Sequence, residues 1–232
     1  MQVNSKIKLP IVPASSMDFL KKIGDNNNRE WFNAHKDEFL KEQQHIVDFA
    51  DGLLSALNVH DVIETPSGKK SLHRIYRDTR FSKFKTPYKT NWSGNFSRAT
   101  KFRRGGYFFH LEPGNSYIGG GFQAPNAGDL KLIRDDISFD DAPLRKIISS
   151  PSFVANFGEI RGTQLITAPK GYAADHEAID LLRYKQFRMI RKFSDEEVLN
   201  SSFVVLADQG YQAMRPFFDY MSEVLTTDLN GE

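Results

Sequence analysis

The chain has 232 residues, 40% of them hydrophobic, with 19 Phe, 8 Tyr and 2 Trp, which is ample material for a core without covalent staples. Cysteine is absent, which excludes disulfides, thiolate metal sites and cysteine nucleophiles and suits a reducing, cytoplasmic setting. The overall charge of +2 selects no partner, and no apolar run approaches the roughly 20 residues of a membrane span or the core of a signal peptide.

Residues 1–14 read as an N-terminal arm, with Pro10 and Pro13 opposing helix. Ser15 or Ser16 is a candidate N-cap for a short helix through Met17, Phe19, Leu20 and Ile23, ended by Gly24. Asn26-Asn27-Asn28 predicts a turn, with Asn28 capping the next helix and Glu30 placed where the helix dipole favours an acid. A long amphipathic stretch follows, with Phe32, Phe39, Ile46, Ala50, Leu53, Leu54 and Leu57 near 3.6-residue spacing. Trp31 and His35 fall one helical turn apart, where the two rings touch.

The middle third turns to β-formers, with strands expected at 72–78 and 87–96. A hairpin is expected over 106–123, turning at Pro113-Gly114-Asn115. Gly119-Gly120-Gly121 in its returning strand predicts a bulge or a close backbone approach. After Pro125, helices start at Asn126 or Asp129 and at Pro143, with a short one at 151–157. Strands near 162–167 and 185–192 flank a helix at 175–184, and 194–227 is helical. No repeat, linker or low-complexity tract marks a boundary. The expected fold is one α+β domain over 1–232, a mostly antiparallel central sheet packed by helices from both termini.

Charge is distributed far less evenly than its total suggests. Between Lys69 and Arg104 there are twelve basic residues against the single acid Asp78, so this segment carries +11 and the remainder −9. Cations interleave with aromatics from Arg74 through Tyr76, Arg77, Arg80, Lys83, Lys85 and Tyr88 to Lys89. One reading is a solvated face answered by acids elsewhere, such as Asp129, Asp135 or Glu159. The other is an anion-binding cleft in which arginine gives forked contacts and lysine point charges to phosphate or carboxylate.

In the first hairpin strand, alternation puts Tyr107, Phe109 and Leu111 on one face and Phe108, His110 and Glu112 on the other. His110 and Glu112 then lie about 6–7 Å apart by strand rise, close enough for a histidine–carboxylate pair or a shared metal. A hydrogen-bonded structural histidine weighs more than a metal, for which His73, Asp78 and His176 are the obvious helpers. No phosphate loop, nucleophile elbow or zincin motif is present, so no metal site, cofactor or reaction is assigned.

Several of these motifs, in this order, resemble the family catalogued as domain of unknown function 2461. They are Asn26 to Phe32 with His35, Arg74-Ile75-Tyr76-Arg77-Asp78 through Arg80 and Lys83 to Lys89, and Tyr107 with His110-Leu111-Glu112-Pro113. Glycines 119–121, Pro169-Lys170-Gly171-Tyr172 and Leu182 with Lys185 follow. The similarity spans roughly residues 17–222. It implies a conserved hypothetical cytosolic protein of bacteria, with relatives in fungi, and carries no activity with it. Phe84, where many relatives have a charged residue, and the apolar Phe108-Phe109 depart from the pattern. The family's motifs fall on the basic segment and on the His110 strand, which favours a site over a merely solvated face.

The leading expectation is a basic, aromatic-lined pocket for a small anionic ligand, phosphorylated or nucleotide-like, either bound or turned over. Arg74, Tyr76, Arg77, Arg80, Lys83, Lys85 and Lys89 form its binding set, and His110 and Glu112 are its acid–base or orienting pair. The alternative is a nucleic-acid-binding module that uses residues 69–104 as an electrostatic track. A third class is a scaffold whose basic face docks an acidic protein. No membrane partner is expected, and the oligomeric state is left open.

Overall fold

In the computed structural model, which describes residues 9–80, 83, 85–99 and 102–227, helix α1 (Ala14–Asp25) starts directly behind Pro13. The expected caps Ser15 and Ser16 lie inside its first turn and donate their hydroxyls to Glu42 Oε2, at 2.9 and 2.8 Å. Gly24 is also internal, and the helix ends at Asn26, whose N–H returns to the carbonyls of Lys22 and Ile23. Residues 1–8 of the expected arm lie outside the described residues.

Asn28 caps α2 (Arg29–Ala34), its Oδ1 accepting from the Trp31 N–H at 2.9 Å. The long helix is interrupted at His35 and resumes as α3 (Lys36–His60). The His35 ring stacks on Trp31 at 4.1 Å, the contact that their spacing predicts. A short α4 (Gly68–Ser71) precedes the sheet, built from β1 (Trp92–Ser97), β2 (Gly106–Leu111), β3 (Ser116–Phe122) and β4 (Phe187–Phe193). The strands are antiparallel and lie in the order β1-β2-β3-β4. Between β3 and β4 run α5 (Ala127–Phe139), α6 (Ala142–Ile148), α7 (Pro151–Phe157) and α8 (Ile179–Leu182). The chain finishes with α9 (Asp195–Leu199), closed by a capping box from Ser194 and Glu197, and α10 (Phe203–Thr226).

These elements make the α+β class plain, and none of the helices among the described residues is long and apolar enough to cross a membrane. Four expected elements are reduced, and the strand expected over 87–96 begins only at Trp92. Residues 72–78 form two isolated bridges, Leu72 to Gly94 and Tyr76 to Tyr88, instead of a strand. Residues 162–167 contribute a bridge from Gln164 to Tyr184, with Arg161 bridged to Arg188 just before them. The helix at 175–184 shrinks to the four residues of α8.

Contacts gather the chain into two compact units, and the boundaries fall within strands and within α10. The first comprises Met1–Phe96, Phe109–Tyr117 and Lys192–Gln209. Its core is aromatic: Phe49 of α3 meets Phe109 edge-on at 5.5 Å and stacks on Phe203 at 5.4 Å. Trp92 is buried, its Nε1 donating to the Ser16 carbonyl at 3.0 Å. The second comprises Ser97–Phe108, Ile118–Arg191 and Gly210–Glu232. There Tyr107 packs against Tyr211 and Phe218 at 5.1 and 5.0 Å. The triple glycine lets backbone come close: a Cβ on Gly121, whose φ is +130°, would stand 2.1 Å from the Phe187 carbonyl oxygen.

Candidate functional site

In the first unit, residues 72–77 run extended beside 86–94. His73 N–H donates to Ser93 O at 2.8 Å, Lys89 N–H to Ile75 O at 2.8 Å, and Arg77 N–H to Pro87 O at 2.9 Å. The span from 73 to 75 thus faces the longer span from 89 to 93, a bulge that breaks simple alternation. Ile75 takes the inward position, while Arg74 and Tyr76 face solvent. Alternation alone gives neither face of this stretch a clean apolar character, and the burial of Ile75 decides which side packs inward.

The Asn26–Asn28 turn is fastened to this segment. Asn27 uses both ends of its amide on Tyr88, donating to its carbonyl and accepting from its N–H, each at 3.0 Å. Tyr88 is buried and stacks on Phe32 of α2 at 4.0 Å. Tyr76 lies over this pair, 5.4 Å from Tyr88 and 6.4 Å from Phe32, with 53% of its surface exposed.

What results is a groove of about 390 Å³ lined by Asn27, Asn28, Arg29, Tyr76, Arg77, Thr79, Lys85 and Pro87. Lys85 Nζ donates to the Thr79 carbonyl at 2.9 Å, and Arg77 donates to the Thr86 hydroxyl. Among the described residues, none of Arg29, Arg77 and Lys85 is paired with a carboxylate. A depression of about 220 Å³ in the second unit is of opposite character. Glu159 and Asp180 are its charged lining groups, and Asp180 is already engaged by Arg145 at 2.8 Å.

Of the seven binding residues expected from sequence, the groove gathers Tyr76, Arg77 and Lys85. Arg80 folds back on Asp78 through a forked pair, Nε to Oδ1 at 3.0 Å and Nη2 to Oδ2 at 2.7 Å, with both side chains exposed. Arg74 and Lys83 are exposed and Lys89 is half-buried, and none of the three lines the groove. Burial first, and then the charge of Arg74, press the Lys89 ammonium below the ordinary lysine value. Phe81, Ser82 and Phe84 lie outside the described residues.

The far end of the basic segment is answered by acids. Arg104 pairs with Asp129, one of the partners foreseen from sequence. The buried Arg98 reaches Asp219 at 2.7 Å, while Asp135 goes instead to Lys131 and Tyr172. The +11 segment is therefore divided: Arg98 and Arg104 serve the second unit's own packing.

His110, on the less buried face of β2, meets Glu112 just past the strand's end. His110 Nε2 donates to Glu112 Oε2 at 3.2 Å, and the imidazole stacks on Tyr117 at 4.5 Å. Glu112 also accepts from the Thr90 hydroxyl at 3.0 Å and the Asn115 amide at 2.9 Å. Burial is the largest influence on this carboxyl and opposes ionisation. The hydrogen bonds from Asn115, His110 and Thr90 together outweigh it and hold the group below the ordinary glutamate value. Glu112 is thus a fixed carboxylate that orients His110 and ties the hairpin turn.

The helpers considered for a metal do not join this pair. His73 bonds to Ser93 Oγ at 3.1 Å and Asn95 Oδ1 at 2.9 Å, and His176 to Ser138 Oγ at 2.9 Å within the second unit. Among the described residues, no group of three or more His, Asp or Glu side chains is placed to hold a metal ion.

Asn27, Asn28, Arg29, Thr79 and Pro87 were not foreseen as lining. The signal available was the run Asn26-Asn27-Asn28-Arg29, which local rules read as a turn and a cap. Its distant role rests on the Asn27–Tyr88 contact, 61 residues apart in the chain.

An α+β protein with a cationic groove on one unit and a histidine–carboxylate pair on its sheet is the class these features define. The chain belongs to the family described as conserved hypothetical protein DUF2461, whose family model matches residues 15–220. Comparison with curated proteins and with solved structures gives no match.

Proposed function

We propose that this protein binds a small anionic ligand carrying phosphate or an equivalent group in the groove between the Asn27–Arg29 turn and Tyr76, Arg77, Thr79, Lys85 and Pro87. The carrying observation is that Arg29, Arg77 and Lys85 converge on one concave surface without a described carboxylate to neutralise them. Such cations are strongly favoured by an anion that replaces water around them. Exposed Arg74, Lys83 and half-buried Lys89 add positive field on the same segment. If the ligand is transformed as well as held, His110, oriented by Glu112, is the group equipped to move a proton.

The test is a thermal-shift and calorimetric series with pyrophosphate, sugar phosphates and dicarboxylates, at low and moderate salt. A ligand at about 100 times its Kd stabilises by roughly 2.7 kcal/mol, an easily read rise in Tm. Arg77→Ala should weaken binding about 10- to 100-fold, the range of one charge-assisted contact. Equal affinity in Arg77→Ala would remove the groove from consideration. Binding confined to oligonucleotides, falling steeply with salt, would establish the nucleic-acid track instead.

A further inference from the structure

We infer that the groove's ligand is a nucleoside diphosphate whose base stacks on Tyr76, an assignment that rests on the anion-binding reading above. Tyr76 carries the inference. An exposed aromatic ring is unremarkable when it stands alone. This one packs against Tyr88, tilted by 43° with the ring centres 5.4 Å apart, and that ring is itself stacked on Phe32. Tyr76 is therefore held by the buried Tyr88 and Phe32 rings, while 53% of its surface remains open and it lines the groove with Arg77. A braced ring with a free flank is what a planar base uses, and base stacking on aromatic side chains is tolerant of base identity.

Size and charge narrow the ligand further. The volume of about 390 Å³ falls within the roughly 300–1,000 Å³ range of small-molecule pockets and leaves room beyond a phosphate group. Three cations suit a diphosphate better than a single phosphate of about −1.5 to −2 charge.

A polar reader is also present. Asn28 spends its Oδ1 on the Trp31 N–H, which fixes the amide's orientation. Its Nδ2 hydrogens have no described acceptor and are free to meet a base or ribose oxygen. Asn27, with both ends of its amide committed to Tyr88, is wall.

The experiment compares ADP, UDP, ribose 5-phosphate and pyrophosphate by calorimetry on the wild type and on Tyr76→Phe and Tyr76→Leu. The exposed position makes both variants tolerable to the fold, which far-UV circular dichroism verifies. ADP and UDP should bind more tightly than ribose 5-phosphate. Tyr76→Leu should weaken both nucleotides by about 5- to 140-fold while leaving pyrophosphate within about twofold, and Tyr76→Phe should retain nucleotide affinity. Equal binding of nucleotide and ribose 5-phosphate, or equal losses for nucleotide and pyrophosphate in Tyr76→Leu, overturns the nucleotide assignment and leaves the anion site standing. No binding of pyrophosphate or any phosphate ester overturns both.

Discussion

Truncating Asp219 to alanine probes the basic segment where it is structural. Arg98 is buried with its side chain 1% exposed, while Asp219 is 54% exposed and also bonded by Arg215 at 3.2 Å. The Arg98 guanidinium donates to Asp219 at 2.7 Å, to the Arg104 carbonyl at 3.1 Å and to Ser222 Oγ at 3.2 Å, and lies 5.1 Å from the Phe218 ring centre. Removing the carboxylate takes a described counter-charge away from a buried cation. The cost of breaking a buried pair is about 3–5 kcal/mol, and water entering through the half-exposed Asp219 position places this case near 3 kcal/mol.

Arg98→Met removes the cation instead. It forfeits the guanidinium's hydrogen bonds to Asp219, Ser222 Oγ and the Arg104 carbonyl, at a net cost of about 2 kcal/mol once the buried charge is gone and methionine refills the space. The double variant leaves no buried cation at this position, so its cost should stay at about 2–3 kcal/mol and not reach the roughly 5 kcal/mol of an additive pair. Thermal denaturation followed by circular dichroism reads this directly, because each kcal/mol moves Tm by about 2–4 °C for a chain of this size. Additivity within about 0.5 kcal/mol would refute the argument that Asp219 matters by compensating a buried charge.

Two further perturbations test the hairpin and the sheet. The folded Glu112 carboxyl is held below its unfolded value, so its contribution is present above the ordinary glutamate value and vanishes as pH falls through the lower folded one. The Tm advantage of wild type over Glu112→Gln should shrink over that acidic window, and a constant offset would sink the assignment. Gly121→Ala, which puts a Cβ 2.1 Å from the Phe187 carbonyl at a φ of +130°, should cost more than about 3 kcal/mol. Gly114→Ala, with a φ of +73° and nothing within 4 Å, should cost about 1 kcal/mol. Comparable urea midpoints for the two alanine variants would contradict the close approach.

Local rules read the hairpin well because its information is local. The alternation of Tyr107, Phe109 and Leu111 and the Pro113-Gly114-Asn115 turn lie within one short window, and β2 and β3 bracket that turn. Distant partners decided what those rules missed. Ser15 and Ser16 have cap chemistry, yet Glu42, on another helix, claims their hydroxyls. Residues 72–78 have strand composition, but the bulge opposite residue 74 cuts their ladder to two bridges. The site divides likewise. Tyr76, Arg77 and Lys85 were legible as a cation–aromatic run, whereas Asn28 and Arg29 reach the groove because a turn is pinned to Tyr88 across the chain.

The two-bridge ladder at residues 72–77 also bears on how molecules of this protein meet one another. An extended segment at the margin of a sheet is a template on which a second chain can add a strand. Here that margin is short, bent by a bulge and studded with exposed Arg74 and with Arg77. Two copies approaching through it would bring like charges face to face, so these arginines insulate the sheet against self-templated growth.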